Sequence, residues 1–287
     1  MKKLLITGTS GFVGSRVAKI LCSQYELLTP SHQEFDITSP EAVETYIHHH
    51  RPKGIVHLAA ISNTGYCEEH PDESMLVNVT GVEHLASSAH RYGVKLVFFS
   101  SDQVYNGNLE LGPLTEDIAV SPENHYGRHK LLAEERALQL CPDCVALRAT
   151  WMYDIPRDGM YTHTNFVTNI KKAIQQHTTL HFPTREYRGI TWIDEVINNL
   201  PHTLHLPGGV YNFGAENPFN TYETALAYLD ILQCDSKDTI IADTTRFAAH
   251  IRNISISMNK ATEASNGNIQ FHDTIEGLRL FEEHHHC

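Results

Sequence analysis

Tyr126 and Lys130 form a YxxxK within SPENHYGRHKLLAE. On a helix, positions i and i+4 share a face. An adjacent ammonium lowers a phenol's pKa from about 10, which suits the tyrosine to proton transfer near neutral pH. The spacing is common by chance, so its surroundings matter. Upstream, the apolar run Val94–Ser100 ends in Ser100-Ser101-Asp102-Gln103, which brings a hydroxyl out at the carboxyl edge of a strand. Near the N-terminus, TGTSGFVG spaces Gly8, Gly11 and Gly14 between a strand and a helix, with Ser10, Phe12 and Val13 among them. Glycines there let the backbone turn tightly and approach a pyrophosphate at the helix N-terminus. Ser, Tyr and Lys around a dinucleotide make a carbonyl-reduction site.

The elements that must position these residues alternate from the start. Strands are expected at Lys2–Thr7, Tyr25–Thr29, Gly54–Ala60, Val94–Ser100 and Cys144–Ala149. Between them fall an amphipathic helix carrying Val13, Val17, Ile20 and Leu21, and a helix opened by Ser39-Pro40-Glu41. Two more follow, one over Glu73–Tyr92 closed by Gly93 and one from Ser121 to Leu140. This predicts an α/β chain with a doubly wound parallel Rossmann-type sheet. After Thr150 the pattern loosens. Helices are expected near Asn165–His177, Asp194–Leu206, Thr221–Gln233 and Asp273–Phe281, with a strand at Gly209–Phe213. Ile155–Thr164 and Phe182–Gly189 read as irregular. The expected division is a nucleotide-binding domain over 1–153 and a smaller mixed C-terminal substrate-binding lobe over 154–287, some of whose segments return to the sheet.

The second strand ends at Thr29-Pro30, so Ser31 and His32 should flank a bound ribose. Neither is a carboxylate that would repel a 2′-phosphate, which favours NADP(H), with NAD(H) possible. Asp36 lies 22 residues after Gly14, and with Ile37 it is expected beside the adenine ring.

With 22 Lys+Arg against 34 Asp+Glu, the net charge is −12, and no basic run offers a surface for nucleic acid. No apolar stretch approaches the ~18 residues of a membrane span. The N-terminal KKLLIT breaks into Gly, Thr and Ser too early for a signal peptide, so a cytoplasmic protein is expected. Six cysteines are too few for a disulfide scaffold at this length. Cys141-Pro142-Asp143-Cys144 is a CxxC, readable as half a metal site, a redox pair or a loop before a strand. The triplets His48–His50 and His284–His286 have no acid or cysteine at ligand spacing and read as solvated helix ends. No metal is expected.

The chain resembles the extended short-chain dehydrogenase/reductases, and within them the dTDP-4-dehydrorhamnose reductase group. The matching stretches are TGTSGFVG, DITSP, HLAAIS, VNVTGVEHLA, FFSSDQVYNG, SPENHYGRHKLLAE and LRATWMY, with looser matches in NFVTNIKKA, RGITWIDEV and GGVYNFG. The resemblance implies Ser101 as the catalytic hydroxyl, Tyr126 as general acid, and Lys130 as the residue that holds the nicotinamide ribose and tunes Tyr126. It implies Leu58, Ala59, Ala60 and Ser100 along the cofactor groove, and Asn78 in a structural role. Around the substrate it implies Ser62, Asp102, Gln103 and Trp151, although Trp151 also reads as core. A nucleotide-sugar pyrophosphate needs cations, for which Arg185, Arg188 and Arg252 are available; each also reads as a surface ion pair. The implied activity is reduction of a nucleotide-linked 4-keto-6-deoxy sugar, with homodimer formation possible. Two other readings follow from the same resemblance. One is an epimerase or 4,6-dehydratase, although Gln103 stands where dehydratases carry a glutamate base. The other is a non-catalytic subunit, since the regulatory subunit of methionine adenosyltransferase resembles the same reductases.

Overall fold

The structure, a computed structural model, describes residues 2–286, without the side chains of Lys237 and His286. Cys287 lies outside the described residues. The chain opens with β1 (Lys3–Thr7), α1 (Phe12–Leu21), β2 (Glu26–Leu28), α2 (Pro40–His50) and β3 (Gly54–His57). Next come α3 (Thr64–Glu69), α4 (Pro71–Met75), a π-turn (Leu76–Thr80) and α5 (Gly81–Tyr92). β4 (Lys95–Ser101), a 3₁₀ turn (Asp102–Tyr105), α6 (His125–Leu140) and β5 (Val145–Ala149) complete the first half. The second half holds β6 (Trp151–Tyr153), α7 (Phe166–Gln176), β7 (Leu180–Pro183), β8 (Glu186–Tyr187), β9 (Ile190–Trp192), α8 (Ile193–Thr203) and β10 (Gly209–Phe213). It ends with α9 (Thr221–Ile231), β11 (Ile240–Asp243), β12 (Arg252–Asn253), α10 (Asn259–Ala264) and α11 (Thr274–His286).

Six strands form a parallel sheet in the order β10-β5-β4-β3-β1-β2. Alternate residues of each strand feed opposite faces, and both faces are covered, so the strands are mostly apolar, with buried polar residues concentrated toward their carboxyl ends. Leu4, Ile6, Val56 and Val97 pack with Val17, Val196 and Ile197 on one side. Leu5, Ile55, Leu96 and Phe98 pack with Val43, Leu85 and Ala133 on the other. A third core, built on Tyr153, Phe166, Tyr228 and Phe281, holds the later elements together. The chain runs out from β1 to β2 and then crosses back to β3 on the far side of β1. This puts a topological switch point between β1 and β3, where such sheets bind ligands beyond the strand ends.

Several expectations shift for local reasons. α6 starts at His125, not Ser121, because Asn124 is the N-cap and its side chain accepts from Gly127 N at 2.7 Å. Glu123 N donates to Asn106 O, which keeps the residues before it out of the helix. The helix expected over Glu73–Tyr92 is interrupted by the π-turn, where Asn78 takes Ile61 N and donates to Ile61 O, both at 2.9 Å. Phe182–Gly189 is not irregular throughout. β7 pairs with β11 and β8 with β12, partners too distant in sequence for a local pattern to reveal. The last helix runs past Phe281, where exposed His284 and partly buried His285 lie beside Trp192 at 5.6 and 6.3 Å. The side chain of His286 is outside the described set.

Candidate active site

The floor of the site is backbone against backbone. Gly8 has φ +73°, and a Cβ there would lie 2.5 Å from Ala59 N. A Cβ on Gly14 would lie 2.1 Å from Gly8 O. These two glycines let the first loop seat on the end of β3; Gly11 is less constrained, with its nearest contact at 3.3 Å. Thr7 Oγ1 accepts from the amides of Leu58 and Ala59, both at 3.3 Å. With its lone pairs engaged, its proton goes to His57 Nδ1 at 2.7 Å. His57 Nε2 then carries the ring's hydrogen, and it is buried without a partner. Burial, with Lys130 adding to it, pushes His57 down to about 3, so the ring is neutral. The glycine cradle fits a dinucleotide pyrophosphate, and Leu58, Ala59 and Ala60 stay partly exposed along it.

Ser101, Tyr126 and Lys130 meet at the end of β4. Ser101 is buried, accepts from Gln103 N and donates to Asp102 Oδ1, both at 3.2 Å. α6 brings Tyr126 beside it and places Lys130 one turn further on. Lys130 Nζ donates to Phe99 O at 2.8 Å and stands 5.7 Å from the Tyr126 ring centroid. The expected lowering of the phenol by the ammonium is not what this arrangement gives. Burial pushes Tyr126 well above its ordinary value, and the hydrogen bond with Ser101 offsets only part of that. Burial likewise pulls Lys130 down to about 8. Both charged forms lose hydration in the same enclosure, and desolvation outweighs the pairwise attraction.

Ser100 does not face the cofactor groove. It points to the opposite side of β4 from Ser101 and donates to Glu134 Oε1 at 2.5 Å. Glu134 is in turn held by buried Arg148, which also donates to Tyr105 OH. Ile37 is core, not groove: it is buried beneath α5, where a Cβ on Gly81 would lie 2.9 Å from it. Asp36 spends Oδ1 on Thr38 N and Oγ1. Ser10 and Ser62 are exposed, Val13 is partly buried, and Phe12 is buried under the guanidinium of Arg16.

The end of β2 corrects the premise for a preference at the ribose. Ser31 N and Oγ both donate to Glu34 Oε2 at 2.8 Å, and those bonds hold the carboxyl ionised below its usual range. A carboxylate therefore does stand there, supplied by a turn three residues on. His32 lies 4.0 Å from Asp36.

Sequence reasoning also missed Arg16. It is fully buried, pairs with Asp154 at 2.6 Å and donates to Phe12 O, Tyr161 O and Thr162 Oγ1. It ties the glycine loop's helix to the chain that follows β6. A charged residue one turn after Phe12 on a buried helical face was the available signal.

On the substrate side, Trp151 is half-buried, with the Arg188 guanidinium 5.0 Å from its ring and Phe166 edge-on at 6.3 Å. Arg188 pairs with Asp102 at 3.0 Å, and its Nε is buried without a partner. Arg252 pairs with Glu186 and donates to Gln103 Oε1 and Asn106 Oδ1, both at 3.0 Å. Arg185 is not in this group; it donates to Ala248 O at 2.9 Å. Cys141 and Cys144 are free and buried at the α6–β5 turn. Among the described residues, no group of His, Cys, Asp and Glu is placed to hold a metal ion, and no helix is long and apolar enough to cross a membrane.

A parallel sheet with its switch point at the glycine loop, and Ser101, Tyr126 and Lys130 at the strand ends, defines an extended short-chain dehydrogenase/reductase. The chain belongs to the RmlD substrate binding domain family, whose model matches residues 1–272. It is 28% identical over 239 residues to the dTDP-4-dehydrorhamnose reductase of Aggregatibacter actinomycetemcomitans, covering 80% of this chain and 79% of that one. It is 27% identical over 248 residues to methionine adenosyltransferase 2 subunit beta of Xenopus laevis, covering 82% and 73%. Its fold is similar to that of the dTDP-4-dehydrorhamnose reductase of Bacillus anthracis in complex with NADP, with a TM-score of 0.86, 22% identity and 99% of both chains covered.

Proposed function

We propose that this chain is an NAD(P)H-dependent reductase of a nucleotide-linked 4-keto-6-deoxy sugar. The observation that carries the reading is the convergence of Ser101, Tyr126 and Lys130 beside a backbone cradle that admits no side chain at Gly8 or Gly14. Gly8, Gly11 and Gly14 would hold the pyrophosphate of the nicotinamide nucleotide, and Leu58 to Ala60 would line its groove. When bound, that cofactor supplies the hydride. Ser101 then orients the substrate carbonyl with its hydroxyl. Tyr126, kept protonated by burial, donates its proton to the oxygen as negative charge develops there. Lys130 stabilises the phenolate left behind, at close range in a dry site. Trp151 offers the sugar a flat wall, while Arg188 and Arg252 supply positive charge for the diphosphate.

Gln103 argues against 4,6-dehydration. Its amide oxygen accepts from Arg252 and Asn124, and the neighbouring Asp102 is held by Arg188, so neither serves as a base on the sugar ring. For the cofactor, Glu34 repels a 2′-phosphate and can accept from ribose hydroxyls, whereas exposed His32 favours the phosphate. We infer that both NADPH and NADH are used and that Glu34 sets their ratio. Glu34→Gln should raise NADPH affinity relative to NADH in a fluorescence titration, and an unchanged ratio would overturn that role. Nicotinamide absorbance with dTDP-4-keto-6-deoxy sugars tests the activity itself. Turnover in the native protein, lost in Tyr126→Phe while NADPH still binds, is the expected result. Native protein that binds NADPH but turns over none of the sugars would sink the reading.

A further inference from the structure

Beyond Arg252 lies a group of residues that the triad does not use. The chain between β11 and β12 folds back sharply. Asp243 Oδ1 accepts from the backbone amides of Thr245 and Arg246, both at 3.0 Å, and from Thr245 Oγ1 at 2.8 Å. Phe247 follows with φ +61°, in the left-handed region that a bulky side chain rarely enters. Such a conformation persists only where the surroundings impose it. Here they do: Arg185 Nη1 donates to Ala248 O at 2.9 Å, and Arg252 N donates to Arg185 O at 3.0 Å. The Phe247 ring is left half-buried. The guanidinium of Arg246 lies 5.2 Å from its centroid and that of Arg252 5.6 Å.

Contacts running outward from the reactive hydroxyl have a definite order. Ser101 adjoins Asp102, which holds Arg188 over Trp151. Gln103 holds Arg252, and Arg252 overlies Phe247. The sequence of chemical groups is therefore hydroxyl and indole, two guanidiniums, then an aromatic ring. A nucleoside diphosphate sugar has the complementary order of sugar, diphosphate, base. Asp102 and Glu186 balance the charge of the paired guanidiniums, but Arg188 Nε remains buried without a partner, a donor open to an acceptor. Arg246 sits beside Asp243, whose carboxyl it helps hold below the usual range, so the rim offers guanidinium donors already matched by carboxylates, which an anionic ligand would have to draw away.

Resting on the reading of this site as one for a nucleotide-linked sugar, we propose that Phe247 is the platform on which the substrate's nucleobase stacks. Arg188 and Arg252 then face the diphosphate between base and sugar. Stacking of a base on an aromatic ring is worth roughly tenfold to a hundredfold in affinity. Phe247→Leu should weaken dTDP binding by that factor in calorimetric titrations and raise the sugar-nucleotide KM to match. Its kcat and NADPH affinity should stay near native, and inorganic pyrophosphate should inhibit variant and native protein alike. Phe247→Trp should restore dTDP affinity, which a merely packing role for the ring does not require. If native protein binds dTDP and reduces the sugar nucleotide but Phe247→Leu binds dTDP equally well, the platform is wrong and the reductase reading stands. If native protein binds neither dTDP nor UDP, both fall together.

Discussion

The floor of this site and its mouth are built by different physics. The floor is a contact between two backbones, with Gly8 against Ala59 and Gly14 against Gly8, pinned by Thr7 and neutral His57. It has no room for another carbon. At the mouth, by contrast, long charged side chains hold one another: Arg188 with Asp102, and Arg252 with Glu186 and Gln103. A floor of this kind presents one fixed surface to a cofactor. A mouth of ion pairs leaves donors free to re-pair with an anionic substrate while the fold stays intact. Changes to the floor should therefore move stability and cofactor binding together. Changes at the mouth should move substrate KM alone.

Tyr126 stands between the two regions and tests whether they meet at one reaction. Tyr126→Phe should lose ~10²–10⁴-fold in single-turnover rate, the usual worth of a positioned acid, with cofactor affinity and melting temperature preserved. Near-native turnover would mean that floor and mouth serve binding only. The next largest effect is expected at the buried pair joining α1 to the chain after β6. Arg16→Met takes from buried Asp154 its partner at 2.6 Å and leaves it Arg157 at 2.8 Å, which should cost ~3 kcal/mol in denaturant unfolding. Adding Asp154→Leu should recover much of that loss. If the single variant unfolds like the native protein, that joint is not held by charge.

Gly14→Ala attacks the floor directly. The added carbon would meet Gly8 O, and displacing the loop should cost ~1–3 kcal/mol together with most of the NADPH affinity. Stability lost without any change in NADPH binding would separate the loop from the cofactor. The effect that is smallest at neutral pH concerns His57. Its folded pKa of about 3 lies below the ordinary 6.5, so the unfolded chain binds the extra proton first as pH falls. The neutral ring's contribution to stability is present above pH 6.5 and is lost progressively between 6.5 and about 3. His57→Asn should flatten the fall in unfolding free energy across that window. An unchanged slope would place the acid sensitivity elsewhere.

Much of the floor and the triad can be read from the chain because their signals are local. TGTSGFVG and YxxxK each bring their chemistry within a few residues, and the period-3.6 and all-apolar runs around them define the elements that hold them. The N-cap of α2 at Ser39 and the strand Gly209–Phe213 stand where the pattern placed them. The same local reading fails where a side chain chooses between partners. Ser100 and Ser101 are identical in type and adjacent, yet the alternation of β4 sends one to Glu134 and the other to Tyr126.

What the sequence by itself determined was the alternating α/β order, the glycine cradle and the placing of Tyr126 and Lys130 on one helix. Each depends on spacings within one element or one turn. Only the tertiary structure decided that Glu34 stands at Ser31 and that Arg16 is spent on Asp154. It also decided that Arg188 reaches Asp102, and that Phe247 lies under Arg252 near the site. The last three depend on where separate segments are brought by burial of the sheet faces and the third core. A carboxylate or guanidinium has many partners of equal chemistry in the unfolded chain, and desolvation by the folded neighbours selects one of them.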